Sequence, residues 1–328
     1  MKQLSKSDFI EGIRKGERRI LAKAITLVES SRESDREAAE ELIKGLLPYC
    51  GNSIRIGITG VPGAGKSTFI ESFGLKAIEK GRKVAVLAVD PSSLRNGGSI
   101  LGDKTRMEEL SRSDSAFIRP SPNSGFLGGI ANATYESMLI CEAAGYDYIL
   151  IETVGVGQSE VMVSEICDAL LMVKILGEGD ELQGIKRGIM EMIDLIFINK
   201  VEESNKEAAK KSRLELLRAL YFMPQKEKDW KTPVLLGSAL DKLGIEEVYD
   251  AIAAFIKLKK ANGTFSTDRA KQAEKRFKYW VEQYIINRTQ RDSVLQSKYE
   301  EHMDNSTHLK SSPMAEARAF VNALLGNR

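Results

Sequence analysis

The stretch Gly57–Thr68, "GITGVPGAGKST", decides the fold. The run "SIRIGIT" (53–59) reads as a strand, and Gly60 and Pro62 stop it. Gly60-x4-Gly65-Lys66-Ser67 then has the spacing of a phosphate-binding loop placed between a strand and a helix. Small residues let the backbone N–H groups of Gly63, Ala64, Gly65, Lys66, Ser67 and Thr68 wrap phosphate oxygens. Lys66 is the candidate to bridge β- and γ-phosphates, and Ser67 to place its hydroxyl on Mg²⁺. The helix N-terminus adds positive potential. No further lysine precedes Lys66 within the loop, so the signature of ATPases with a lysine acting in trans is missing.

Working outward, six more β-rich runs follow the first: "KVAVLAVD", "SAFIRP", "DYILIET", "ALLMVKIL", "DLIFIN" and "TPVLLGS". Several are continuously apolar, as strands buried on both faces are. Helix-compatible stretches separate them. The alternation predicts an α/β fold with a doubly wound, mainly parallel sheet over residues 51–258. Residues 1–50 read as a helical N-terminal extension, with a helix-period pattern over 8–30. A capping box is expected at Ser34 and Glu37. Residues 259–328 read as a helical arm carrying Phe277, Trp280, Val281, Tyr284 and Ile285 on one stripe. On pattern alone that stripe suits an intrachain core as well as an interface.

Bulk composition narrows the class. The chain has 328 residues, 42% of them hydrophobic, enough for a sizeable core. Lys+Arg 48 against Asp+Glu 46 gives no electrostatic case for a nucleic-acid or membrane partner. Cys50, Cys141 and Cys167 are widely spaced, which fits free thiols in a reducing compartment. No apolar run is long enough to span a bilayer, and no secretory or transit signal is legible, so a cytoplasmic protein is expected.

Three acids are candidates for the magnesium and the attacking water. Asp90 ends "KVAVLAVD", Asp103 lies in "NGGSILGDKTRM", and Glu152 ends "DYILIET". In an open α/β sheet, ligands bind at the carboxyl ends of strands, which aims Asp90 and Glu152 at the phosphates. Glu152-x-x-Gly155 stands where many GTPases have Asp-x-x-Gly, with the Gly155 N–H facing the γ-phosphate. Gln158 lies three residues beyond Gly155, too far for the usual water-orienting position.

The base-reading candidates come last in the chain. "FINKVEES" (197–204) places Asn199-Lys200-x-Glu202 at a strand end. Guanine presents two parallel donors, N1–H and N2–H₂, that suit a carboxylate, whereas adenine presents an acceptor there. Asn199 would hold the purine, and Lys200 would lie over it. Ser238-Ala239 in "GSAL" matches the element whose backbone N–H contacts guanine O6. Phosphate loop, Glu-x-x-Gly, Asn-Lys-x-Glu and Ser-Ala, in that order, make a G domain.

The stretches "GVPGAGKSTFIE", "VDPSS", "GGSILGDKTRM", "FIRPSP", "ILIETVGVGQSE", "GDELQGIKRGIMEMIDL" and "NK" resemble the methylmalonyl-CoA mutase-associated GTPases. That family includes the methylmalonic aciduria type A protein and is also labelled lysine/arginine/ornithine transport ATPase. The resemblance implies a homodimeric chaperone that binds GTP and GDP with Mg²⁺ and gates adenosylcobalamin delivery to the mutase, protecting that enzyme. It implies no cobalamin bound by this chain itself. It marks Gly177–Arg187 as a third switch, with Asp180, Gln183 and Lys186 as working residues, and the C-terminal helices as a dimerisation arm. Arg106 and Lys186 are candidates for a transition-state cation. The family has Asp where this chain has Glu202, which bears on base selectivity. Three alternatives stay open: a transport-associated ATPase or kinase, a metal-insertion GTPase of the same superfamily, and a nucleotide-sensing scaffold without turnover. The chain's only histidines, His302 and His308, lie far from any cysteine.

Overall fold

The computed structural model describes residues 5–30, 32–89, 107–119, 129–153, 158–177, 187–308 and 311–326. All seven expected strands form: β1 (Ile54–Thr59), β2 (Val84–Val89), β3 (Ala116–Arg119), β4 (Tyr148–Thr153), β5 (Ala169–Lys174), β6 (Leu195–Ile198) and β7 (Val234–Leu236). They make one sheet in the order β3-β2-β4-β1-β5-β6-β7. Every pairing is parallel. The strand that feeds the phosphate loop is therefore central, with β4 and β5 at its sides.

Thirteen α-helices are described, and those of the first unit, Met1–Ser266, cover both faces of the sheet, as a sheet apolar on both sides demands. In chain order they are α1 (Lys6–Arg14), α2 (Arg18–Glu29), α3 (Glu33–Leu46), α4 (Lys66–Glu79), α5 (Glu108–Arg112), α6 (Gly129–Ala143), α7 (Gln158–Ser164), α8 (Arg187–Met190), α9 (Lys206–Tyr221), α10 (Ile245–Ala261), α11 (Thr264–Arg291), α12 (Ser293–Thr307) and α13 (Pro313–Gly326). One face gathers Ile13, Leu21, Ile25 and Leu42 from the N-terminal helices with Met138 and Ile140 of α6 and Ile149 and Ile151 of β4. The N-terminal helices thus share a core with the sheet. The other face packs α4 and α10 through Phe69, Phe73, Ile252 and Phe255 onto Ile58, Leu150 and Phe197.

Two local expectations need correction. The helical pattern over 8–30 is two helices, because Gly16 takes a left-handed φ of 73° and turns the chain between α1 and α2. The capping box at Ser34 and Glu37 does not form. Helix α3 starts two residues earlier, with Arg32 at the N-cap position and no side-chain cap, and Ser34 lies inside its first turn. Glu33 and Asp35 in that turn meet the helix dipole instead. A capping box does form at Ser5 and Asp8 of α1.

The amino-terminal edge of the sheet holds a buried ionic layer. The Arg55 Nε donates to Glu142 Oε1 at 2.9 Å, and the pair is almost wholly buried. The Gly51 N–H reaches the other Glu142 oxygen at 2.7 Å, and the Ser53 hydroxyl donates to Glu142 as well. Asp168 accepts from the Arg55 N–H at 2.8 Å. Beside it, Asp194 accepts from the Leu170 N–H at 2.8 Å and pairs with Lys226 at 3.2 Å. Burial holds the Asp194 carboxyl above the ordinary aspartate range, with Lys226 the chief counterweight.

The chain divides into Met1–Ser266 and Thr267–Arg328. In the second unit, the His302 Nδ1 and Glu316 carboxylate lie 2.6 Å apart, and the Tyr299 and Phe320 rings meet edge to face. Phe277 is 68% exposed, and Val281, Tyr284 and Ile285 of the same helix are exposed too. Among the described residues, no helix is long and apolar enough to cross a membrane.

Candidate nucleotide-binding site

The carboxyl ends of β1, β4, β5, β6 and β7 converge on one edge, where an open α/β sheet places its ligand. Parallel register puts Ile58 of β1 beside Glu152 of β4, and Thr59 beside Met172 of β5. Glu152 therefore ends its strand next to the phosphate loop. Its Oε1 accepts the Ser67 hydroxyl at 2.8 Å, and the residue is 8% exposed. This pair supplies two hard oxygen ligands of the kind Mg²⁺ takes, one carboxylate and one hydroxyl. Among the described residues no group of three or more His, Cys, Asp or Glu is arranged to hold a metal by itself. The donor set fits an ion held jointly with a phosphate.

The loop is drawn tight by its own lysine. The Lys66 Nζ donates to the Gly60 carbonyl at 2.7 Å and to the Val61 carbonyl at 3.1 Å. Glycine is required at two of its positions. A Cβ on Gly60, where φ is 142°, would sit 2.0 Å from the Val173 carbonyl oxygen. A Cβ on Gly65, where φ is 88°, would sit 2.5 Å from the Asn199 Nδ2. The second clash shows that the phosphate loop is shaped against the base loop and not only around phosphate.

Asn199 is the joint between them. Its Nδ2 donates to the Ala64 carbonyl at 2.8 Å, and its Oδ1 accepts the Ala239 N–H at 2.8 Å. One buried amide thus ties the phosphate loop, the Asn-Lys-x-Glu segment and the Ser-Ala element. Lys200 adds a second tie, donating to the Gly63 carbonyl at 2.9 Å from a left-handed backbone with φ of 59°. Ser238 exchanges backbone hydrogen bonds with Leu243, and its hydroxyl donates to Asp241 at 2.6 Å. From α4, the Ser72 hydroxyl reaches the Ala239 carbonyl at 2.6 Å. The Phe69 and Phe197 rings pack 5.2 Å apart beneath both loops.

Glu202 behaves differently. It is exposed, and its carboxylate caps the short 3₁₀ turn Glu203–Asn205. Asn205 answers through its Oδ1, which accepts the Glu202 N–H at 2.9 Å, while its Nδ2 donates to the Lys200 carbonyl at 3.0 Å. Gly63, Ala64, Gly65, Lys66, Ser67, Thr68, Glu152, Asn199, Lys200, Glu202, Ser238 and Ala239 are all in the described regions at this edge of the sheet. Asp90, Asp103, Arg106, Gly155, Asp180, Gln183 and Lys186 lie outside the described residues. Sequence reading missed Ser72, Asn205, Thr59 and Glu160. Only Asn205 left a signal, as the third residue after Glu202, the spacing of a capping box.

Residues 21–293 match the family model described as methylmalonyl Co-A mutase-associated GTPase MeaB. The chain is 47% identical to "GTPase ArgK" of Escherichia coli over 281 residues, 86% of this chain and 85% of that protein. It is 41% identical over 328 residues to the mouse "Methylmalonic aciduria type A homolog, mitochondrial", covering 97% of this chain and 76% of that one. The crystal structure of a protein described as "LAO/AO transport system kinase" superposes with a TM-score of 0.77 at 36% identity and covers 99% of both chains.

Proposed function

The chain belongs to the methylmalonyl Co-A mutase-associated GTPase family, and we propose that it is a GTP-hydrolysing chaperone that gates adenosylcobalamin delivery to an acyl-CoA mutase and protects that enzyme. The observation that carries the reading is the Asn199 amide, which joins phosphate loop and base loop through two hydrogen bonds. Through it, occupancy by a guanine and occupancy by phosphates are felt by one side chain.

In the proposed reaction water attacks the γ-phosphorus, the bond to the β-phosphate oxygen breaks, and GDP and phosphate leave. The Lys66 ammonium, which donates to the Gly60 and Val61 carbonyls, would neutralise the β- and γ-oxygens. Ser67 and Glu152 would hold Mg²⁺, which when bound offsets charge on the phosphates. The backbone N–H groups of the loop orient them. Asp90, Asp103, Gly155 and the segment with Asp180, Gln183 and Lys186 complete the reading from sequence. Intrinsic turnover is slow, and the output is a change of conformation on loss of the γ-phosphate. The exposed Phe277, Val281, Tyr284 and Ile285 support an arm that pairs with a second copy.

Phosphate release from GTP and ATP, with and without methylmalonyl-CoA mutase, tests the proposal. GTP is hydrolysed in preference to ATP, the mutase changes the rate or the affinity, and Lys66→Ala lowers release about 100-fold or more. Equal use of ATP and GTP, or indifference to the mutase, overturns it. The 36%-identical structural relative is described as a kinase. Transfer of γ-phosphate to a protein acceptor instead of water would favour that second reading.

A further inference from the structure

Ser72 lies inside α4, beside the core residues Phe69, Ile70 and Phe73, and is only 5% exposed. A serine or threonine in a helix interior commonly turns its hydroxyl back onto the carbonyl one turn earlier. Thr26 and Thr289 do so in this chain, onto Ala22 and Ile285. Ser72 instead donates across to the Ala239 carbonyl at 2.6 Å, 167 positions away. A hydroxyl buried in apolar surroundings is costly without a partner. Alanine would fill the same place at no such cost, so the hydroxyl serves the bond and not the packing.

The bond lands on a turn that is closed by its own backbone. Ser238 and Leu243 exchange hydrogen bonds at 3.1 and 2.9 Å, and the Lys242 N–H reaches the Ala239 carbonyl at 3.3 Å. The Ala239 N–H donates to the Asn199 Oδ1. Ala239 is thus held at its N–H from the end of β6 and at its carbonyl from α4. Helix α4 opens with Lys66 and Ser67, and Ser72 sits roughly 7.5 Å further along its axis than Ser67. One helix therefore carries the phosphate loop at its start and a grip on the Ser-Ala turn farther along.

We propose that Ser72 is a positioning residue for guanine recognition. By holding the Ala239 carbonyl it sets the Ser238-Ala239 turn, whose backbone would meet the 6-oxygen of guanine, at a fixed distance along α4 from the phosphates. The inference rests on the GTPase reading of the site and gives it a second link between base and phosphates, besides Asn199. Its specific content is chemical. Ser72 acts at the 6-position of the base, whereas the Glu202 carboxylate acts at N1–H and the 2-amino group.

The experiment compares the full-length chain with Ser72→Ala and Ser72→Cys. Affinities are measured for GDP, for inosine diphosphate, which lacks the 2-amino group, and for ADP, which carries an amine in place of the 6-oxygen. Thermal melting is the fold control. Ser72→Ala weakens GDP and inosine diphosphate alike by about three- to tenfold, the loss of one neutral hydrogen bond, and changes ADP affinity by less than about twofold. The ratio of GDP to inosine diphosphate affinity stays native, while the preference of both over ADP shrinks. Ser72→Cys, with a weaker donor of similar size, falls between native and Ser72→Ala. Should Ser72→Ala fail to fold, Ser72→Cys decides by the same ratios. A uniform loss for all three nucleotides, a changed ratio of GDP to inosine diphosphate, or an unchanged GDP affinity overturns the proposal. A native chain that binds GDP no more tightly than ADP overturns the guanine reading itself, a separate failure.

Discussion

The two edges of the central sheet bury polar side chains to a similar depth but use them differently. At the amino-terminal edge, Arg55, Glu142, Asp168 and Asp194 pair with one another's neighbours and with backbone that belongs to strands. At the carboxyl-terminal edge, the buried Lys66 and Asn199 donate to loop carbonyls at Gly60 and Ala64, and the exposed Lys200 donates to that of Gly63. The first set is closed by strand and helix ends that hold their positions. The second set is closed by the loops that a nucleotide would contact. Burial alone does not separate structural from functional polarity; the partner's secondary structure does.

The comparison can be broken from either side. The largest effect is expected at the amino-terminal edge, from Arg55→Met. Glu142 would be left buried without its cation, which costs about 3–5 kcal/mol. Urea titration should show that loss, while the folded fraction keeps its GTP affinity. A loss of affinity without loss of stability would merge the two edges. Next comes Lys66→Ala at the opposite edge. Phosphate release should fall about 100-fold or more, with a smaller melting shift than Arg55→Met produces.

Lys226→Met probes the amino-terminal edge through pH. The Asp194 carboxyl is held above its unfolded value by burial, and Lys226 is the main influence lowering it. An acid raised in the folded state binds its proton more tightly there. Its contribution to stability is therefore best below the ordinary aspartate range and falls as pH rises through the folded value. Removing Lys226 raises that value further and deepens the loss at neutral pH. Because the lysine side chain is 37% exposed, the expected cost near neutrality is only about 1–2 kcal/mol. Thermal melts should show a wider gap between variant and native near neutral pH than in mild acid. A gap independent of pH would remove the charge argument.

The smallest effect is expected from Glu202→Asp. The shorter stem restores the usual base-reading geometry and should tighten GTP by about fivefold, ~1 kcal/mol, with ATP affinity unchanged. Equal affinity of the native chain for the two nucleotides would sink the guanine reading at this position.

Much of this molecule was legible because strands buried on both faces write themselves as continuous apolar runs. "ILIE" and "LLMV" could be placed without knowing their neighbours. The phosphate loop was legible because its chemistry is local, within eight consecutive residues. What escaped were contacts closed across long sequence distances. Thr59 meets Glu160 across 101 positions, and Arg55 meets Glu142 across 87. In sequence each of these acids reads as a solvated face of a helix. The missed turn at Gly16 and the displaced start of α3 have another cause. Periodicity locates a helix well and its ends poorly, because the apolar stripe carries no mark of where the terminal turns begin or stop.

The Asn199 amide has a direction. Its nitrogen must face Ala64 and its oxygen must face Ala239. Turning the amide over would set donor against donor and acceptor against acceptor at both ends. Exchanging its NH₂ for an oxygen, as hydrolysis to aspartate does, would point a negative charge at a carbonyl of the phosphate loop. A change of about one mass unit would then separate the two halves of the pocket while leaving every strand in place. Chemical ageing at this one atom would bury an unpaired charge, lowering the melting temperature as well as nucleotide binding.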